Sequence, residues 1–113
     1  MSITCFIQYK IDPRKQAQFV EYARNWGQAI PACGADLIGY FGPHEGCSQT
    51  AYGVYTVDDL AAYERYRARL SQHPLGKENY DFAQREGFLL EEKRIFLRNH
   101  SAPHAPLLTE DKL

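Results

Sequence analysis

The fold is decided by a strand that runs directly into a helix start, in the stretch Ile3-Thr4-Cys5-Phe6-Ile7-Gln8-Tyr9-Lys10-Ile11-Asp12-Pro13. Apolar or aromatic side chains occupy every odd position from Ile3 to Ile11. This alternation predicts a β-strand over 3–11 with one buried face. Asp12 suits a helix N-cap, and Pro13 suits the first helical position because its missing N–H is not required there.

The helix that follows is predicted from a stripe of large side chains. Phe19, Ala23, Trp26 and Ile30 recur at spacings of three and four residues, which places them on one helix face. Trp26 therefore reads as a core residue and not as a platform for a ligand. The helix is expected to end near Cys33-Gly34, where glycine can adopt a left-handed cap.

Five further elements complete the predicted domain. They are strands over 35–42 and 49–57, a helix capped by Asp58 or Asp59 that stops near His73-Pro74, a helix over 75–86 ended by Gly87, and a strand over 88–98. The order βαββαβ predicts an α+β, ferredoxin-like domain with a four-stranded antiparallel sheet and its helices on one face. Charges in the last strand favour an edge position. The domain is expected to span 1–98, followed by an irregular tail over 99–113.

The composition limits the classes of partner that the chain is expected to bind and predicts its cellular compartment. The chain has 113 residues and a net charge of -1, so one domain is expected, with no attraction to nucleic acid or to an anionic membrane surface. The three cysteines are odd in number and lack metal-ligand spacing, which predicts reduced thiols and no metal site. No secretory signal and no apolar run of about 20 residues is visible, so a cytoplasmic protein is predicted.

The strands over 35–42 and 49–57 are apolar on both faces. Strict alternation puts Leu37 and Phe41 on one side and Ile38 and Tyr40 on the other. An antiparallel sheet with one face in water should carry polar residues on that face. The predicted partner is therefore a second copy of the chain, with two sheets packed face to face to form a homodimer.

Tyrosines on the strands are the main candidates for ligand binding. Tyr9, Tyr40, Tyr52 and Tyr55 could bind a small, partly aromatic molecule by stacking and hydrogen bonding if they face a cavity. Simple packing on a pleated sheet is the alternative.

His44, in the Gly42–Gly46 loop, is a weak candidate for catalysis or ligand orientation, and a solvated turn is its alternative. Arg65, Arg67 and Arg69 are interpreted as a solvent-facing charged surface with local ion pairs. No motif of a hydrolase or kinase is present.

With its elements placed, the sequence resembles the NIPSNAP family of the dimeric α/β-barrel superfamily. The resemblance covers about residues 3 to 98 and depends on the order of short motifs: Lys10-Ile11-Asp12-Pro13-Arg14-Lys15, Leu37-Ile38-Gly39-Tyr40-Phe41, the run from Tyr52 to Glu64, His73-Pro74, and Glu91 to Arg98. It implies the fold and the dimer, and it carries no settled activity. Some members of the wider superfamily bind haem, but His73 alone does not make a haem site, and no cofactor is predicted.

Three functions remain open from the sequence. The first is binding of a small, partly aromatic molecule between sheet and helices. The second is a cofactor-independent monooxygenase, cyclase or isomerase acting on an aromatic or polyketide-like substrate. The third is a structural or protein-interaction module. The first two require an internal cavity on the order of hundreds of Å³, whereas a fully packed interior would leave only the third.

Overall fold

A computed structural model describes residues 2–101 of the chain, and Met1 and residues 102–113 lie outside the described range. The elements are β1 (Ile3–Ile11), α1 (Gln16–Ala32), β2 (Asp36–Phe41), β3 (Thr50–Val57), α2 (Leu60–Gln72), α3 (Pro74–Glu86) and β4 (Leu89–Leu97). The predicted α+β class and the four-stranded antiparallel sheet are confirmed. Most of the predicted tail falls outside the described residues.

Side-chain caps set the helix boundaries close to where the sequence predicts them. The carboxylate of Asp59 accepts a hydrogen bond from a backbone N–H of α2, and the His73 side chain does the same for α3. Gly87 ends α3 with a φ of 64°, a left-handed conformation that glycine adopts freely. Asp12 caps a short 3-10 turn, so α1 itself begins only at Gln16.

The sheet has the strand order β2-β3-β1-β4, which places the charged β4 at an edge, as predicted. β1 lies at the centre between β3 and β4 and contributes Cys5, Ile7, Tyr9 and Ile11 to the core. The odd positions of β1 are thus the buried face that the alternation predicts.

The strand register assigns each paired residue to one of the two sheet faces. Residues directly opposite one another in neighbouring strands share a face, so the pairs Cys5 with Tyr55 and Ile7 with Arg94 both lie on the helix side. The opposite face, here called the open face, is not covered by any helix of the described chain. Its apolar members are Phe6, Phe41, Tyr52, Val54, Ile95 and Leu97.

Strict alternation in β2 is wrong because the strand is irregular. The register with β3 shifts between Leu37 and Gly39, so one residue, Ile38, is left without a partner. As a result Leu37 and Tyr40 both lie on the helix side, while Phe41 lies on the open face.

None of the helices in residues 2–101 is long and apolar enough to cross a membrane.

Candidate ligand-binding cleft

A cleft lies between the helix side of the sheet and the three helices. Six of the eight tyrosines line it: Tyr9, Tyr22, Tyr40, Tyr55, Tyr66 and Tyr80. The space between its atoms is about 340 Å³ counting the mouth that opens to solvent, but the centre of a water-sized molecule can occupy only about 30 Å³ of it. In this conformation the cleft has room for about one or two water molecules, which is less than a small-molecule site needs, so a ligand can enter only if side chains at the mouth move.

The floor of the cleft is a pair of hydrogen-bonded phenols. The hydroxyls of Tyr9 and Tyr40 lie 3.0 Å apart, and their rings are 6.0 Å apart between centroids. Burial raises the pKa of both phenols well above the usual value. Burial likewise raises the pKa of Tyr22, Tyr55 and Tyr66. These groups therefore stay protonated near neutral pH and act as hydrogen-bond donors or acceptors, not as bases.

An ion pair on the edge strand forms one wall of the cleft. Glu92 and Arg94 are two residues apart in β4, so both side chains reach the helix side. Arg94 Nη2 donates to Glu92 Oε2 at 2.6 Å, and Arg94 Nη1 donates to the hydroxyl of Tyr63 at 3.1 Å. Burial alone would lower the pKa of Arg94, but the bond to Glu92 raises it. The positive charge of Arg94 is thus compensated by a carboxylate.

A second arginine, Arg67 of α2, lines the cleft without such a carboxylate. Its Nη1 donates to the hydroxyl of Tyr63 at 2.8 Å, and its Nη2 donates to the hydroxyl of Tyr80 at 3.0 Å. The guanidinium carbon lies 5.7 Å from the centroid of the Tyr63 ring. Among residues 2–101, no Asp or Glu forms an ion pair with Arg67.

The interpretation of Arg67 as part of a solvent-facing surface is therefore wrong. Arg67 follows Tyr63 by four residues, so both lie on the face of α2 that turns toward the sheet, and the arginine is half-buried. Arg65 and Arg69 are exposed. Arg69 nevertheless donates to the backbone carbonyl of Cys33 at 2.8 Å.

Trp26 both belongs to the core, as predicted, and lines the cleft. Its side chain is 4% exposed, and its indole N–H is buried without a hydrogen-bond partner in the described part of the chain. The hydroxyl of Tyr22 lies nearby but outside normal hydrogen-bond geometry. A buried donor left unpaired costs about 1–3 kcal/mol. A group that needs an acceptor thus lies beside the phenols of the cleft.

The structure brings three of the sequence-derived candidates together and separates the other two. Tyr9, Tyr40 and Tyr55 all line the cleft. Tyr52 lies on the open face, where its ring is 5.4 Å from that of Phe6. His44 lies in the loop between β2 and β3, in a separate surface depression.

Several residues that line the cleft were not predicted from the sequence, although a sequence pattern indicates some of them. Tyr22 precedes Trp26 by four residues on α1, so it extends the same stripe. Glu92 and Arg94 alternate with open-face residues on β4, which is the pattern of a strand with a polar patch on one side. No comparable signal distinguishes Tyr80, which approaches Trp26 only through the packing of α3 on α1, with ring centroids 5.9 Å apart.

Comparison with known proteins identifies the family. The NIPSNAP family matches residues 4–103. An uncharacterized NIPSNAP-like domain protein from Burkholderia xenovorans has a similar structure, with a TM-score of 0.70, 25% identity, and coverage of 95% of this chain and 94% of that chain. A NIPSNAP family protein from Agrobacterium tumefaciens has a TM-score of 0.71 at 22% identity, covering 90% of this chain and 89% of that chain. No protein of curated function matches the sequence. The chain belongs to the NIPSNAP family.

Proposed function

We propose that this chain is the subunit of a homodimer that binds a small, partly aromatic molecule in the cleft between sheet and helices. The observation that carries the proposal is the indole N–H of Trp26, which is buried beside the cleft and has no hydrogen-bond partner among residues 2–101. Native structures pair nearly all buried polar groups, so an acceptor from a ligand or water is the natural complement.

The walls of the cleft suit a flat, unsaturated molecule. Tyr22 contacts Tyr9 and Trp26 in edge-to-face geometry, with ring centroids 6.1 and 5.6 Å apart. Aromatic walls with a few placed polar groups are typical of small-molecule sites. Because the free space is small, entry requires movement at the mouth, where Tyr80 is 43% exposed.

The open face supports the homodimer part of the proposal. Phe41, Ile95 and Leu97 are 51%, 52% and 47% exposed there. An apolar sheet face of this kind is stabilised when a second sheet covers it. A second copy of the chain offers the same face, and a twofold axis would pair the two.

The enzymatic alternative stays a prediction. A monooxygenase, cyclase or isomerase would need a group that takes a proton from the substrate. The phenols of the cleft are held protonated, and His44 lies in a different depression. Within residues 2–101, Glu92 is the one carboxylate that lines the cleft, and it is already bonded to Arg94. Binding therefore has the stronger support.

Two measurements test the proposal. Native mass spectrometry of freshly purified protein should report a dimer and an additional small mass that denaturation releases. Trp26 is the only tryptophan, so its fluorescence reports directly on the cleft. Titration with small aromatic alcohols, amides and carboxylates should change this emission, while the Tyr52→Phe variant on the open face should respond as the wild type does. Unchanged emission with every compound, together with no co-purifying mass, would rule out the binding function.

A further inference from the structure

We propose that the ligand of the cleft is a monoanion whose anionic oxygens, those of a carboxylate or an enolate, are bound by Arg67. This inference rests on the proposed binding function and specifies its ligand class. It follows from the hydrogen-bonding inventory, the charge balance and the position of Arg67 at the mouth.

The cleft contains three groups that can donate hydrogen bonds but cannot accept them. The indole of Trp26 and the guanidinium groups of Arg67 and Arg94 can only donate. The carboxylate of Glu92 accepts from Arg94 at 2.6 Å through Oε2, so its charge is already paired. A ligand that satisfies this arrangement must supply acceptors, which favours an oxygen-rich group over an amine or an alcohol.

The phenols that bind Arg67 also favour a ligand that accepts hydrogen bonds. The hydroxyl of Tyr63 accepts from both Arg67 and Arg94, at 2.8 and 3.1 Å. The hydroxyl of Tyr80 accepts from Arg67 at 3.0 Å. A hydroxyl that accepts in this way still has its own proton to donate. Each of these phenols can therefore donate its own proton to a neighbouring acceptor, as the guanidinium does.

The net charge of the cleft favours a ligand that carries one negative charge. Arg67 and Arg94 contribute two positive charges, and Glu92 contributes one negative charge, so the cleft carries a net charge of +1. The pair of Arg94 with Glu92 is already neutral. The charge left over resides on Arg67, whose partners are phenols, and a partly buried charge favours an opposite charge close by.

The mouth of the cleft gives Arg67 access to an entering ligand. Tyr80, which holds one nitrogen of Arg67, is 43% exposed and lies on α3. An incoming carboxylate can take the place of the Tyr80 hydroxyl on that nitrogen, since a charge-assisted bond is about twice as strong as a bond to a neutral acceptor. Displacement of Tyr80 would also widen the cleft for the rest of the molecule.

The test uses two compounds of the same shape and different charge. Cinnamate and cinnamamide are titrated against the fluorescence of Trp26 in the wild type, in Arg67→Gln and in Arg65→Gln. We expect the wild type to bind cinnamate at least about tenfold more tightly than cinnamamide, the range typical of a hydrogen bond to a charged group. Arg67→Gln should lower the affinity for cinnamate much more than that for cinnamamide and so abolish that preference. Arg65→Gln, an exposed arginine on the same helix, should behave as the wild type.

The outcomes separate this inference from the proposed function. Equal binding of the two compounds by the wild type overturns the anion inference and leaves the binding function standing. No binding of either compound, or of any other aromatic compound, removes both. A loss of both affinities in Arg67→Gln assigns Arg67 a structural role and also overturns the inference. If Arg67→Gln does not fold, Arg67→Lys replaces it: the retained charge should keep the preference for cinnamate, and a lost preference contradicts the proposal.

Discussion

The ring of Tyr40 lies directly over Gly53, so close that a Cβ on Gly53 would meet ring carbons at 2.5 to 2.9 Å. The two residues are opposite partners in β2 and β3. The absence of a side chain at Gly53 lets the ring cross β3 and bring its hydroxyl within 3.0 Å of that of Tyr9. Gly53 thereby sets the position of the cleft floor without touching a ligand.

Gly53→Ala should destabilise the protein by about 1–3 kcal/mol, the usual cost of an overpacked core. The added methyl group must push the Tyr40 ring away, which breaks its bond with Tyr9. Urea unfolding measures the change. Gly27→Ala in α1 is the matched control, since nothing lies within 4 Å of a Cβ there and alanine favours the helix. Equal stability of the two variants would show that the contact between Tyr40 and Gly53 has no energetic weight.

The buried phenols predict alkaline unfolding. Burial raises the pKa of Tyr9, Tyr22, Tyr40, Tyr55 and Tyr66 in the folded chain. Their contribution to stability is complete below about pH 10, where the unfolded chain also keeps these protons, and it falls above that pH because only the unfolded chain ionises. Each tyrosine should remove about 1.4 kcal/mol per pH unit in that range.

Phenolate absorbance and near-UV circular dichroism, followed together through an alkaline titration, measure this effect. We expect the five tyrosines with raised pKa to ionise in one step that coincides with loss of the fold. Gradual ionisation of all eight near pH 10 in a chain that stays folded would contradict the burial of these phenols.

The three thiols should differ in reactivity. Cys47 is exposed, and hydrogen bonds from the Thr50 hydroxyl and from backbone N–H groups lower its pKa. Burial raises the pKa of Cys5 and Cys33. Iodoacetamide should therefore label the native protein at Cys47 first, because the thiolate is the reacting form. Mass spectrometry locates the label, and rapid labelling of the native Cys47→Ser variant would count against this order.

A charged substitution on the open face should weaken the self-association of the chain. Ile95→Glu places a carboxylate among the apolar side chains of that face, so the dimer proposed above should dissociate in sedimentation velocity. Leu60→Glu is the control, since Leu60 is 58% exposed at the start of α2, away from the sheet face. A wild type that sediments as a monomer, or an Ile95→Glu variant that remains dimeric, would exclude this interface.

Local signals were enough to predict the elements of the fold. The alternation in β1 and the caps Asp59 and Gly87 each act within a few residues, so the sequence alone displays them. The faces of β2 were not predictable, because the irregularity at Ile38 depends on how β2 pairs with β3.

The candidate site was predictable only in part. Tyr9, Tyr40 and Tyr55 could be singled out as aromatic residues on strands. Arg67 was missed because an arginine in a charged helical run is usually solvated. Its true surroundings are two phenols, one of them on α3, and no pattern within α2 encodes how α3 packs against it.

The alternation of β4 between the cleft and the open face makes the length of this strand critical. The side chains of Glu92 and Arg94 reach the cleft. Those of Lys93 and Ile95, which alternate with them along the strand, lie on the open face. Insertion or deletion of a single residue before Glu92 would exchange the two sets: a deletion would put Ile95, and an insertion Lys93, where Arg94 now meets Tyr63. Mutations that change the residue count of β4 should therefore be far more damaging than substitutions, even though the strand lies at an edge of the sheet.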